Sequence, residues 1–303
     1  MYKTNEVKDT SQISCYRNCP RLYRNQYLLG LTKHNNDATT HDRRFGSCVH
    51  ESLAHYYRTK EIDLRVWDEF IDLSTDDTKT HANGRELCKQ YFIHYKPLDS
   101  FEVLAVEAPI QFELGGFKYL VKLDLIVRVN GNVFVIEHKT TKNIGGGYFS
   151  KFQLNTQISA QTHACIHKFG ECSGVIVNAL SANNVKKPVL IDPTMTEEIK
   201  AYSKVEISYS KYYGKNMAYC SGINFDFRRE IINRTPQQVE DFKNNVVVWM
   251  AKMATDQFYP KNENFCSSFK GCEFKELCYS CDDEQIKEQL YKEVEDPYAY
   301  MFE

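Results

Sequence analysis

The sequence predicts an α/β fold with an αβββαβ core between two helical regions. Three observations point there. Two turn signals, Gly115-Gly116 and Asn130-Gly131, separate three strand-like runs, and Asn-Gly favours a two-residue hairpin. A helix-like stretch over 153–168 then leads to the apolar run GVIVNAL (174–180), which suits a buried strand. Helix-like patterns fill the segments before and after this block.

Residues 11–30 read as helix, with Ser11 as N-cap, Gly30 as stop, and Pro20 at a helix start or kink. A second helix covers about 44–59, and helical pieces continue to about 95. FEVLAVEAPIQFEL, FKYLVKLDLIVRV and VFVIEHK are the three strands. A polar, glycine-rich loop from Asn143 to Tyr148 leads into the crossover helix. A right-handed crossover sets the fourth strand parallel to a neighbour. Helices are expected near 194–213 and 235–256, followed by a cysteine-rich segment over 265–281. The division expected is one domain over 1–281, with helical (11–95), core (100–180) and helical-plus-cysteine (194–281) parts. An acidic tail follows at 282–303.

Hydrophobic content of 42% and charged content of 26% suit a soluble globular chain. No apolar run is long enough to cross a bilayer, so no membrane partner is expected. The polar N-terminus lacks the apolar stretch of a secretion signal. Eleven cysteines without such a signal imply an intracellular, reducing (cytoplasmic) setting, where clustered thiols bind metal more often than they form disulfides. Net charge is −2, but residues 282–303 carry −6, which leaves +4 on the body. That balance permits DNA binding without demonstrating it.

The chemistry concentrates in the second and third strands. If Asn130-Gly131 are the central turn residues, Val129 pairs with Asn132 and paired numbers sum to 261. Asp124 then falls opposite Glu137, and Lys122 opposite Lys139, all on one face. Opposed residues have Cβ atoms about 4.5–5.5 Å apart, and like charges at that distance repel. A divalent cation between the carboxylates relieves this, because hard cations take oxygen ligands. The competing explanation is a pair of solvated strand ends with a shifted register. Upstream, His50 shares a helical stripe with Leu53, Ala54 and Tyr57; downstream, Gln157 lies near the start of the crossover helix.

Gly46-x3-His50, Asp124, Glu137-x-Lys139 and Gln157 occur in this order on these elements. Together they resemble the RecB-type branch of the PD-(D/E)xK nuclease superfamily, in particular the CRISPR-associated RecB-like exonucleases, the AddB nuclease domain and phage-encoded relatives. The resemblance spans about Ser11 to Cys278. Two positions depart from it: Val121 stands where the family usually has glycine, and Gln161 where it usually has tyrosine. The resemblance implies a restriction-endonuclease-like core and a Mg²⁺- or Mn²⁺-dependent nuclease. His50, Asp124 and Glu137 would be metal ligands, with the carbonyl of His138 a further one. Lys139 and Gln157 would act on the attacking water and the phosphate.

Cys266, Cys272 and Cys278 recur at even spacing, with Cys281 close behind, and Cys15 and Cys19 lie near the other end. So dense a run in a reducing setting reads as a ligand set, against the alternative of inert packed thiols. By the resemblance, Cys19, Cys266, Cys272 and Cys278 would hold a [4Fe–4S] cluster that staples the chain, with Cys15 and Cys281 as spares. Four thiolates suit zinc equally. The implied substrate is DNA, with single-stranded ends favoured, delivered by a helicase or recombination partner. Arg17, Arg21, Arg24 and Lys142 are candidate phosphate contacts, and Tyr16, Tyr23 and Tyr27 read as core. A non-cutting DNA-binding module and a zinc-stabilised scaffold are the alternative functions.

Overall fold

The computed structural model describes residues 7–34, 37–72, 78–190, 205–210, 215–267 and 271–294. The first half contains β1 (Val7–Lys8), α1 (Thr10–Asn18), α2 (Pro20–Tyr23), β2 (Leu31–Lys33), α3 (Asp37–Thr59) and α4 (His81–Tyr95). The core follows as β3 (Glu102–Leu114), β4 (Phe117–Val129), β5 (Asn132–Thr141), α5 (Thr156–Phe169) and β6 (Val175–Leu190). Then come β7 (Val205–Ser210), β8 (Lys215–Ile232), α6 (Pro236–Thr255), α7 (Glu263–Cys266), α8 (Lys275–Tyr279), α9 (Glu284–Leu290) and β9 (Tyr291–Glu293).

The β-strands form a seven-stranded mixed sheet in the order β1-β4-β5-β6-β8-β7, with β3 also paired to β4, and a small β2-β9 sheet. Both expected hairpins are present. Gly115 and Gly116 have φ of +56° and +83°, Asn130 and Gly131 +50° and +83°. Two consecutive positive φ angles match the right-handed twist of the flanking strands. Val129 pairs with Asn132, and Leu114 with Phe117. The crossover helix α5 joins β5 to β6, which lie parallel from Val135↔Val175 to Thr141↔Ser181.

Both faces of the sheet are covered, so β4 and β5 read as nearly continuous apolar runs. One core packs α1, α5 and α6 on the sheet through Ile13, Tyr16, Leu123, Ile158, Phe242 and Met250. The other packs α3 and α4 on the opposite face through Phe45, Leu53, Trp67, Tyr91, Leu125 and Ile136. A third, small cluster of Leu31, Phe274, Leu277 and Tyr291 underlies the cysteine segment.

The N-terminal helix is broken where the sequence allows it. Asp9, not Ser11, caps α1 by accepting from the Gln12 N–H. Pro20 starts α2, and a π-helical turn over Arg24–Leu28 ends at Gly30, whose φ is +65°. The larger correction concerns the helix expected near 194–213. Residues 205–210 are strand, antiparallel to 215–220, and 194–204 and 211–213 lie outside the described residues. The stretch VEISYS alternates apolar and polar residues, and that pattern outweighs the helix-like run before it. β6 also runs past the expected 180 to Leu190, against β8. The acidic tail begins in order, as α9 and β9; DPYAYMFE lies outside the described residues.

Candidate active site

The β4–β5 ladder runs from Val129↔Asn132 to Leu125↔Ile136 and stops there. The next register step is the Asp124/Glu137 pair. Beyond it β5 continues along β6, while β4 is flanked by β1 at Lys118 and Tyr119. The two strands therefore part where the carboxylates would oppose, and the site occupies the fork. The backbone N–H of His138 crosses the fork to Asp124 Oδ2 at 2.8 Å. The divergence also separates Lys122 from Lys139, the second repelling pair of the same register.

Asp124, Glu137 and His138 are buried. His50 reaches the fork from α3, whose Leu53, Ala54 and Tyr57 are buried as its stripe predicts. Its Nδ1 lies 3.5 Å from Asp124 Oδ2 and 4.0 Å from Glu107 Oε1. His50, Glu107 and Asp124 present ligand atoms all within 4.8 Å of one another. Burial alone would lower the His50 pKa, but Asp124 above all, with Glu137 and Glu107, raises it to about 9. Asp124 is held below the usual carboxylate range against its burial, chiefly by His50. Burial and the Asp124 charge push Glu107 and Glu137 up. A carboxylate–imidazole donor set of this kind fits Mg²⁺ or Mn²⁺.

Glu107 is absent from the sequence reading. It sits on β3 with φ of +51°, between the pairs Val106↔Leu125 and Ala108↔Leu123, and so faces Asp124. The signal was present: a two-residue turn at Gly115-Gly116 makes paired numbers sum to 231, which sets 107 against 124. Lys122 Nζ reaches Glu107 Oε2 at 3.3 Å.

Glu137 faces the other arm of the fork. Lys139 Nζ lies 2.5 Å from Glu137 Oε1 and donates to Gln157 Oε1 at 3.1 Å. Gln157 Nε2 donates to Glu137 Oε1 at 2.8 Å, and Gln161 Nε2 donates to Glu137 Oε2. Gln161, the departure from tyrosine, engages the buried acid through its amide nitrogen, while its Oε1 is buried without a hydrogen-bond partner. Val121, the departure from glycine, is buried and pairs with Ile110. The N-terminus of α5 is fixed by Asn155, which accepts from the N–H of Gln157 and Ile158. Arg234 clamps the same end, donating to Ser159 Oγ and to the carbonyls of Phe152 and Asn155.

The His138 side chain enters a buried polar network that the sequence did not announce. Asn178 Nδ2 faces His138 Nδ1 at 2.7 Å and donates to the Tyr91 hydroxyl at 2.9 Å. Because an amide NH₂ can only donate, His138 Nδ1 accepts and its proton resides on Nε2. Burial pushes His138 down to about 3, so the ring stays neutral. Arg229 donates to Asn178, Tyr57 and Tyr91 and forms an ion pair with Asp99 at 2.5 Å. Five elements meet here, so no local motif marks it.

Cys19, Cys266, Cys272 and Cys278 converge at the end of α1 and on the C-terminal segment. Burial pushes Cys272 up to about 11, with the Cys278, Cys19 and Cys266 thiols adding to it. The Asn262 N–H donates to Cys19 Sγ at 3.4 Å. Cys15, the first spare, is half-buried and feels Cys19 and Cys272, while Cys281 is exposed. Among the described residues no three of these sulfurs lie within 4.8 Å of one another; thiolates on one zinc would stand about 3.8 Å apart. Of the candidate phosphate contacts, Arg21 and Arg24 are both committed to Asp282, at 2.5 and 3.1 Å. Arg17 lies over the Trp249 ring, Lys142 is exposed, and Tyr16, Tyr23 and Tyr27 are core.

No described helix is long and apolar enough to cross a membrane. No curated protein matches the sequence. Two solved structures are similar in shape. One is a protein from Eubacterium rectale described as a candidate exonuclease, with 12% identity, TM-score 0.48 and 86% of each chain covered. The other is SSO0001, with 14% identity, TM-score 0.36 and coverage of 92% of this chain and 88% of that one. Both TM-scores fall below 0.5, so the assignment rests on the sequence match. The family model of the PD-(D/E)XK nuclease superfamily matches residues 10–279, which takes in the whole fork, its helices and the cysteine segment as far as Cys278, and the chain belongs to that superfamily.

Proposed function

We propose that this protein is a metal-dependent deoxyribonuclease that hydrolyses phosphodiester bonds, preferring single-stranded ends. The observation that carries the proposal is the grouping of His50, Glu107 and Asp124 beside Glu137 and Lys139 in one fork. His50, Asp124 and Glu137, with Glu107 and the His138 carbonyl, would hold Mg²⁺ or Mn²⁺. A bound divalent cation supplies Lewis-acid polarisation and a more acidic water. The residues themselves do the rest. Lys139, braced between Glu137 and Gln157, stabilises negative charge developing on the phosphate. Gln157 and Gln161 hold Glu137 in one orientation. Cys19, Cys266, Cys272 and Cys278 would hold a [4Fe–4S] cluster as a clip between the chain's two ends. Four thiolates would suit zinc equally, and the family resemblance is what favours the cluster.

One observation favours a second reading, a DNA-binding module that does not cut. Both Glu137 oxygens are already taken by protein donors. The test is digestion of end-labelled single- and double-stranded DNA with Mg²⁺ or Mn²⁺, with and without chelator. Chelator-sensitive digestion supports the nuclease; binding without digestion under every metal supports the module. A brown protein with a broad visible absorption band supports the iron–sulfur clip, and a colourless one with bound zinc removes it.

A further inference from the structure

Between β5 and α5 the chain forms a lip beside the fork. Its three consecutive glycines, Gly145, Gly146 and Gly147, are exposed, and none has a φ in the left-handed region. A Cβ at Gly145 or Gly146 would meet nothing within 4 Å, and at Gly147 only Ser150 Oγ at 3.9 Å. Neither local conformation nor packing therefore calls for glycine. The lip is nonetheless a defined turn: Ile144 is buried, the Tyr148 N–H donates to the Gly145 carbonyl, and Ser150 Oγ donates to the Gly147 carbonyl. What the missing side chains leave is open space, which lets another molecule approach the backbone closely.

The next residues supply charge. Lys151 is exposed, with its ammonium 3.8 Å from the centre of the Tyr148 ring. Burial and the neighbouring Lys139 charge both lower its pKa, so the two ammonium groups share one region. Tyr148 also feels Lys139 and hydrogen-bonds to Thr141, which ties the lip to the end of β5. No carboxylate pairs with Lys151 among the described residues. An unneutralised ammonium on an aromatic brace, next to cleared backbone, suits a polyanion running across the lip.

We propose that Lys151, braced on Tyr148, and the Gly145–Gly147 run form a phosphate subsite for the nucleic-acid strand, adjoining the position of cleavage. This rests on the nuclease reading for the strand's identity, but its test does not need cleavage. Affinity for a labelled single-stranded oligonucleotide is measured by fluorescence anisotropy, with calcium in place of magnesium, across a salt series. Lys151→Ala is expected to weaken binding about 5–10-fold and to reduce the slope of log K against log salt by about 0.7, the share of one single-strand phosphate. Lys151→Arg keeps both, and Gly146→Leu weakens binding with an unchanged melting temperature. Wild-type affinity and slope in Lys151→Ala, or wild-type affinity in Gly146→Leu, overturns the subsite. A chain that binds through Lys151 but never cuts loses the nuclease reading and keeps the subsite. One that cuts while Lys151→Ala binds normally does the reverse.

Discussion

The acid fork and the cysteine segment both crowd groups that repel when ionised, yet they are held in opposite ways. In the fork the fold itself supplies the partners: the His138 N–H to Asp124, Lys122 to Glu107, and Lys139, Gln157 and Gln161 to Glu137. The cysteines have only weak contacts, such as the 3.4 Å approach of the Asn262 N–H to Cys19 Sγ. Cys266 and Cys278 sit on helices of four and five residues, and Cys272 lies between them against a small apolar cluster. Such short helices are marginal without an external constraint. A pre-built centre loses rate when it is altered; a segment lacking its own core loses stability.

The sharpest test of that contrast is a pair of fork substitutions. Lys139→Ala and Glu137→Gln are expected to slow DNA cleavage about 10³-fold, the upper range for one charge-stabilising group, while shifting the melting temperature by only a few degrees. Calorimetry beside initial rates checks this, and equal collapse of both would show that the fork is not pre-built. Arg229→Met probes the fork's support. Removing one partner of the buried Arg229–Asp99 pair costs about 3–5 kcal/mol, which urea titration would read; a loss below about 1 kcal/mol breaks the argument.

Cys272→Ser belongs to the other region. By analogy with cross-links closing a long loop, it should lower stability by about 2–4 kcal/mol. DNA cleavage by the folded fraction should be little changed, as a rate per folded molecule would reveal. The fourth expectation concerns pH. His50 is held at about 9 in the folded chain against 6.5 when free. Its contribution to stability is therefore complete below about pH 6.5 and is lost as pH rises through about 9. Metal-free protein should melt progressively lower across that window, and His50→Asn should flatten the decline. Mn²⁺ affinity should rise over the same range, because a ligand must shed its proton. The smallest effect is expected at Gly46, where a Cβ would meet only Thr140 Oγ1 at 3.8 Å. Gly46→Ala should be near neutral in stability and rate; a large loss of rate alone would mean that substrate passes there.

How far these regions could be read beforehand follows from their physics. Asp124 and Glu137 were legible because a hairpin turn sets register by counting. Glu107 is equally countable from Gly115-Gly116, but Gly-Gly fixes a turn's centre less sharply than Asn-Gly. His50 and Gln157 followed from helix position and family pattern. The Tyr57–Tyr91–Asp99–Asn178–Arg229 network was not legible, since its members meet only after α3, α4, β6 and β8 have packed. β7 is hidden in the sequence because its six residues follow a helix-like run, and its strand character depends on pairing with β8. The commitment of Arg21 and Arg24 to Asp282 was equally hidden, since it spans almost the whole chain.

The pairing of β2 with β9 has a consequence in time. A ribosome releases Leu31–Lys33 long before Tyr291–Glu293, at about 5–20 residues per second. His50, Glu107, Asp124, Glu137, Lys139 and Gln157 all emerge before Cys266. The nascent chain can thus complete its acidic centre while Cys266, Cys272 and Cys278 are still unmade. The proposed cysteine clip between the ends would close last, and a chain cut short before it would carry the acidic centre without the fastening.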